Sequence, residues 1–285
     1  MSIVCEELKR MYKGKNLRIV IVIGVVIVVL QTYWFVNNQR AAINMEYEII
    51  MSNSIEYKNI RFFENSILEG WLGCENYSGY NEMLFLLFPF LAVMPFGISL
   101  YNEWETGYVY NIITRCEKKL YLNAKFLATF LGGGLAVVFP LLLSLIVAAC
   151  YLPIINMEPM SLQARIGIVD MWGSIYLEKP IIYAFIYMIV DFVYGGIFAC
   201  IALTVSKYSK NWFSIFVFPA VLHFFLYYGL GNLFINTRTY NPSYFINPSQ
   251  ISRSNEMFPL VTITIFIIIG IYILYYRINR KREVL

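Results

Sequence analysis

Six long stretches of the chain carry almost no charge, at 17–36, 83–101, 126–152, 181–205, 212–234 and 259–276. A helix rises 1.5 Å per residue, so about 20 consecutive apolar residues cross a hydrocarbon core roughly 30 Å thick. The pattern predicts an all-α polytopic membrane protein, a single transmembrane domain over 1–285 with six membrane-spanning helices. Lysines and arginines precede the first stretch, as in a signal peptide. No small-x-small cleavage site follows it, only "QTYWFVNNQR", so it reads as a retained span.

The segments between the spans are patterned as well. "SIVCEELKRMYKGKNLR" sets Val4, Leu8, Met11 and Tyr12 on one helical stripe, with Glu6, Glu7, Lys9, Arg10 and Lys13 opposite. That predicts an interfacial helix lying at the headgroup surface. The loop 37–82 is too long for a hairpin, and its Ile49, Ile50, Ile55, Ile60, Phe63, Ile67, Leu68 and Trp71 recur at roughly helical spacing, predicting one or two external helices. A short interfacial helix is expected between the third and fourth spans. Two Asn-Pro steps in the last loop predict turns.

Charge changes the picture by giving it a direction. Most of the 22 lysines and arginines fall in the N-terminus, the second-to-third loop, the fourth-to-fifth loop and the C-terminal "RINRKREVL". Basic residues beside spans stay cytoplasmic, so both termini are expected inside. A net charge of +4 then reflects topology, and no nucleic-acid partner is needed to explain it. Composition agrees, with 59% hydrophobic and 14% charged residues, against roughly a quarter charged in soluble domains. Of the cysteines, Cys5 and Cys116 are expected inside, Cys150 and Cys200 in spans and Cys74 outside, which leaves no external intramolecular disulfide.

The loop "YNEWETGYVYNIITRCEKKLYLNAK" is the most informative segment. Trp104, Tyr108, Val109, Ile112 and Ile113 line one helical face, and Glu103, Glu105, Thr106, Tyr110, Asn111 and Thr114 the other. Acids lead and the bases Arg115, Lys118 and Lys119 follow, complementing the dipole of a helix lying along the inner surface. At these residues the chain resembles the membrane subunits of ABC-2 type ATP-binding-cassette exporters. In that family an acid-x-acid-x-Gly element opens a cytoplasmic coupling helix between spans two and three, followed by a hydrophobic pair, a basic turn and a Lys. Here Glu103, Glu105 and Gly107, then Ile112 with Ile113, Arg115, Lys118, Lys119 and Lys125 occupy those places. Where many members have a Pro-x-Ser-Arg turn, this chain has "CEKK".

The resemblance implies a permease subunit that exports a substrate when a separate cassette ATPase, in two copies, hydrolyses ATP with Mg. It also implies a second permease subunit, as a homodimer or heterodimer, in a bacterial plasma membrane. No G-x-x-x-x-G-K-[ST] phosphate loop occurs, so the chain itself is expected to be a non-catalytic subunit that binds no cofactor and no metal. "FLGGGLAVV" lies inside a span and reads as a close-packing surface. The glutamate-rich external loop and aromatic spans would suit an amphipathic or cationic cargo such as an antimicrobial peptide.

Two intramembrane polar residues, Asp191 and His223, fall at matching depth in neighbouring spans and could pair. Structural hydrogen bonds from Asp191 to Tyr183, Tyr187 or Tyr194 are the alternative. If the two carried protons, the chain would be a proton-coupled secondary transporter. A non-transporting membrane adaptor or sensor is a further alternative. Pro89, Pro95, Pro140 and Pro219 are expected to kink their spans.

Overall fold

The computed structural model describes residues 3–53, 66–74, 78–154, 166, 171–230, 241–248 and 257–280. Among these there is helix and no strand. The helices are α1 (Ile3–Lys13), α2 (Lys15–Asn53), α3 (Ile67–Gly70), α4 (Tyr80–Val93), α5 (Ser99–Glu105), α6 (Tyr108–Ile113), α7 (Lys118–Tyr151), α8 (Gly173–Glu178), α9 (Pro180–Val205), α10 (Trp212–Phe224) and α11 (Met257–Arg280). A π-helical segment, Phe225–Leu230, continues α10, and a 3-10 turn, Pro242–Tyr244, lies before α11. The C-terminal basic tail past Arg280, the end of the fifth apolar stretch, and Ile55, Ile60 and Phe63 of the external loop lie outside the described residues.

Five helices, α2, α7, α9, α10 with its π continuation, and α11, are long and apolar enough to cross a membrane. Their outer faces carry apolar side chains with no protein against them, such as Val22, Val29, Ile189, Phe258 and Phe266. A solvent of lipid tails accounts for that surface. The chain is therefore a membrane protein, with five such helices among the described residues.

The stretch 83–101 does not form the single continuous helix its hydropathy predicts. Helix α4 has 14 residues, about 21 Å at the helical rise, and ends before Pro95. Proline has no N–H to continue the ladder. The chain turns through Gly97, whose N–H bonds the Val93 carbonyl at 2.8 Å, before α5 begins.

The centre of the bundle is the crossing of α7 and α9. Their glycines meet face to face. A Cβ built on Gly133 would stand 2.6 Å from both Ala199 Cβ and the Gly195 carbonyl, and one on Gly134 would stand 2.6 Å from the Phe192 carbonyl. The reading of "GGG" as a packing surface is what the structure contains. Around this crossing, Phe88, Val137, Leu141, Tyr183, Ala184 and Ile197 form the main core.

At one end, here called the top, residues 66–74 fold back into the bundle and are buried throughout. Several of their polar groups are met by the helices. Trp71 Nε1 donates to the Leu141 carbonyl (3.0 Å), Leu72 N–H to Ser144 Oγ (2.9 Å), and Gln31 Nε2 to the Gly70 carbonyl (2.9 Å). Asn81 Nδ2 donates to the carbonyls of Leu72 and Gly73, both at 2.8 Å. In low dielectric each such group left unmet is costly, so these bonds hold the segment in place. Cys74, expected to be accessible from outside, is buried here. The first Asn-Pro step does form a turn, with Asn241 Oδ1 accepting from Ser243 N–H at 3.1 Å.

Gly133→Val is expected to lower the thermal stability of the detergent-purified protein by on the order of 1–3 kcal/mol, the usual cost of overpacking. Gly270→Val, where a Cβ meets nothing within 4 Å, should leave the melting transition unchanged. Equal melting of the two variants would remove the glycine crossing as the centre of the core.

Candidate functional site

At the base of the bundle the motif loop folds as two helices. Gly107 separates them with φ +71, a conformation that costs glycine little and other residues more. It closes α5 and opens α6, so the single amphipathic helix expected here is broken at its glycine. On α5, Leu100, Glu103 and Trp104 share one face by the i, i+3, i+4 rule, and all three are buried. Glu103 therefore points inward rather than to the aqueous side where the sequence pattern placed it. Glu105, one helical position beyond that face, is exposed.

Glu103 is one of four charges that meet there. Lys125 Nζ, on α7, lies 2.5 Å from Glu103 Oε1 and 3.0 Å from Glu7 Oε2. Arg10 Nη1, on α1, lies 2.9 Å from Glu103 Oε1 and 3.0 Å from Glu7 Oε1. Each cation thus touches both anions, and the formal charges cancel. The Tyr121 hydroxyl donates to the remaining Glu103 oxygen. Phe96 and Tyr108 close the cluster with their ring faces, 4.1 Å from Lys125 Nζ and 4.5 Å from the Arg10 guanidinium carbon. Lys125 is 0% exposed, Glu7 2% and Glu103 4%, whereas the Arg10 side chain keeps 40% and forms the water-facing edge. Burial weakens Arg10's hold on its proton, but Glu103 and Glu7 outweigh that and push it above the ordinary arginine value.

The cluster changes the reading of α1. Glu7 and Arg10, placed on its water-facing side by the sequence pattern, are i, i+3 partners turned toward α7. Met11 beside them packs with Leu17, Phe96 and Ala128. Sequence reasoning missed Glu7, Arg10, Tyr121 and Phe96 as site residues. The available signal was Lys125 itself, a lysine bracketed by "LNA" and "FLATF" that needs a counter-ion from elsewhere.

The other motif residues separate by depth. Trp104 and Val109 are buried with Leu100, Tyr121, Leu122, Leu203 and Tyr275, and Ile112 and Ile113 pack partly against them. Tyr108, Arg115 and Lys119 are exposed, and Lys118 is half-buried. Between α1 and α6 lies a hollow of about 500 Å³, lined by Glu6, Arg10, Tyr108, Asn111, Arg115 and Cys116 among others.

Asp191 and His223 are not brought together by a hydrogen bond. His223 Nδ1 is buried without a hydrogen-bond partner, and its ring packs edge-on against Phe198, centroids 5.5 Å apart. Asp191 is fully buried, and neither carboxylate oxygen has a hydrogen-bond partner. Tyr194, one of the partners weighed for it, bonds Thr264 at 3.0 Å instead. Among the described residues no group of three His, Cys, Asp or Glu could hold a metal ion.

Compared with known proteins, the chain matches no family model, no curated protein and no solved structure.

Lys125→Met leaves two buried carboxylates sharing one half-exposed arginine, and is expected to cost about 3–5 kcal/mol, the usual penalty for breaking a buried ion pair. Glu105→Ala, at an exposed neighbouring position, should stay within roughly 0.5 kcal/mol. Chemical unfolding of the two purified variants decides it; similar curves would mean that the cluster does not hold the base together.

Proposed function

We propose that this chain is the permease subunit of an ATP-driven exporter of the ABC-2 type. The observation that carries the reading is the Glu103–Lys125 pair. It joins the first acid and the last base of the motif, so the exposed segment between them is tied to the base of a membrane helix 34 residues long. A partner pressing on α6 would move α5, α1 and α7 together, because the four-charge cluster makes separate movement costly. That is what coupling to a separate ATPase requires.

In this reading α6 is the coupling helix. Glu105, Tyr108, Asn111 and Arg115 face the partner, while Glu103 and Lys125 transmit and do not dock. The segment from α4 through α5 serves as the sixth crossing, both termini are cytoplasmic, and two copies of the permease with two ATPase subunits make the transporter in a bacterial plasma membrane. ATP and Mg belong to the partner.

Asn111→Ala combined with Arg115→Glu, both at exposed positions, is expected to abolish stimulation of the partner ATPase in the reconstituted complex, with no change in the melting of the isolated permease. Full stimulation by this double variant would end the docking assignment. Glu103→Gln should instead lower both stimulation and stability.

A proton-coupled secondary transporter is favoured by one observation, the buried and unpartnered Asp191 carboxylate. In the exporter, Asp191→Asn retains ATP-dependent transport in proteoliposomes. Flux that needs no ATPase, follows an imposed pH gradient and vanishes in Asp191→Asn would establish the rival.

A further inference from the structure

At the top of the bundle a cavity of about 490 Å³ opens between α4, the end of α10 and the 3-10 turn, within the roughly 300–1,000 Å³ of small-ligand sites. Its wall is built by an unusual backbone. Residues Phe225–Leu230 wind as a π-helix, a form that concentrates at functional sites. The π segment is held from outside: Asn241 Nδ2 donates to the Leu226 carbonyl at 2.6 Å, and the Tyr244 hydroxyl to the Tyr227 carbonyl at 3.5 Å. The rings of Tyr227 and Tyr228 stand edge to face, centroids 4.8 Å apart, and Phe224 continues the wall at 6.5 Å from Tyr228.

Two buried polar atoms in this lining have no hydrogen-bond partner: His223 Nδ1 and Ser243 Oγ, on side chains 5% and 2% exposed. One nitrogen of a neutral imidazole accepts, and the unpartnered Nδ1 is open to that role. The hydroxyl accepts as well as donates. Among the described lining residues the one carboxylate is Glu82, exposed at the rim, and there is no lysine or arginine.

Acceptors below, ring faces at the side and a carboxylate at the rim suit one kind of occupant. We propose that this cavity binds an alkylammonium ion carried on an apolar or aromatic body. The N–H groups meet His223 Nδ1 and Ser243 Oγ, the charge is balanced by Glu82, and the body lies on Tyr227, Tyr228 and Phe224. A phosphatidylethanolamine headgroup also offers an ammonium, but its phosphate finds no cation among the described lining residues and faces Glu82. As a cargo site the cavity rests on the exporter reading above; as a cation site it does not.

The test uses the purified full chain without any ATPase, so that its failure is separate from failure of that reading. The probe is dansylcadaverine, a fluorescent primary ammonium on an aromatic body, followed by its emission. Saturable binding is expected. N-acetylation of the probe, which removes the charge and leaves a single amide N–H, should abolish it. Glu82→Gln and Tyr228→Leu, both at exposed positions, should each weaken it about tenfold. A lysine-rich amphipathic peptide that displaces the dye places peptide side chains among the occupants, and a peptide that does not confines the site to small amines. Equal binding of the acetylated probe, wild-type affinity in both variants, or displacement by short-chain phosphatidylethanolamine would overturn the proposal.

Discussion

The base of this protein is organised by one ammonium group that cannot reach water. Lys125 sits fully buried on α7, and an unpaired charge there would cost several kcal/mol. Two carboxylates come to it from separate elements, Glu7 from α1 and Glu103 from α5, and a second cation, Arg10, balances the surplus. Four side chains thereby fix the relative position of three helices. Well-packed apolar residues could give similar stability. What an ion cluster adds is register, since only one arrangement lets every charge meet its opposite.

The same low-dielectric accounting explains the top. The inserted segment 66–74 brings backbone groups into the bundle away from helix ends, and Gln31, Asn81, Ser144 and the Leu141 carbonyl bond it in place. Non-helical backbone at depth is tolerated only where protein groups satisfy it. Asn81 uses both its amide hydrogens on that segment, and its oxygen accepts from Asn247 at 3.2 Å, which joins the plug to the cavity wall.

Helix α4 connects the two ends. Glu82 and Phe85 belong to the cavity region at its start, and Phe96, one turn past its end, covers the Lys125 ammonium. In the proposed exporter this short element is the shared part between cargo and coupling. Pro89 lies inside it and Pro95 just past its end.

The sequence alone determined that this is an all-helical membrane chain, because long apolar runs report on solvent and need no partner to be read. It also marked "GGG" as a close-packing surface, since that depends on residue type at a position, whereas the break at Gly107 came only with the structure. Only the tertiary structure decided where the polar residues of the amphipathic segments go. Hydrophobic periodicity assigns Glu7, Arg10 and Glu103 to a water-facing side because it cannot register Lys125, which is 118 and 22 residues away from the two acids it binds. The break of 83–101 into two helices was likewise not legible in hydropathy. Hydropathy counts apolar residues, whereas helix continuity depends on backbone donors that prolines lack. Asp191 and His223 share a depth along their spans, but depth leaves rotation about the helix axis free, and packing set the His223 ring against Phe198 instead.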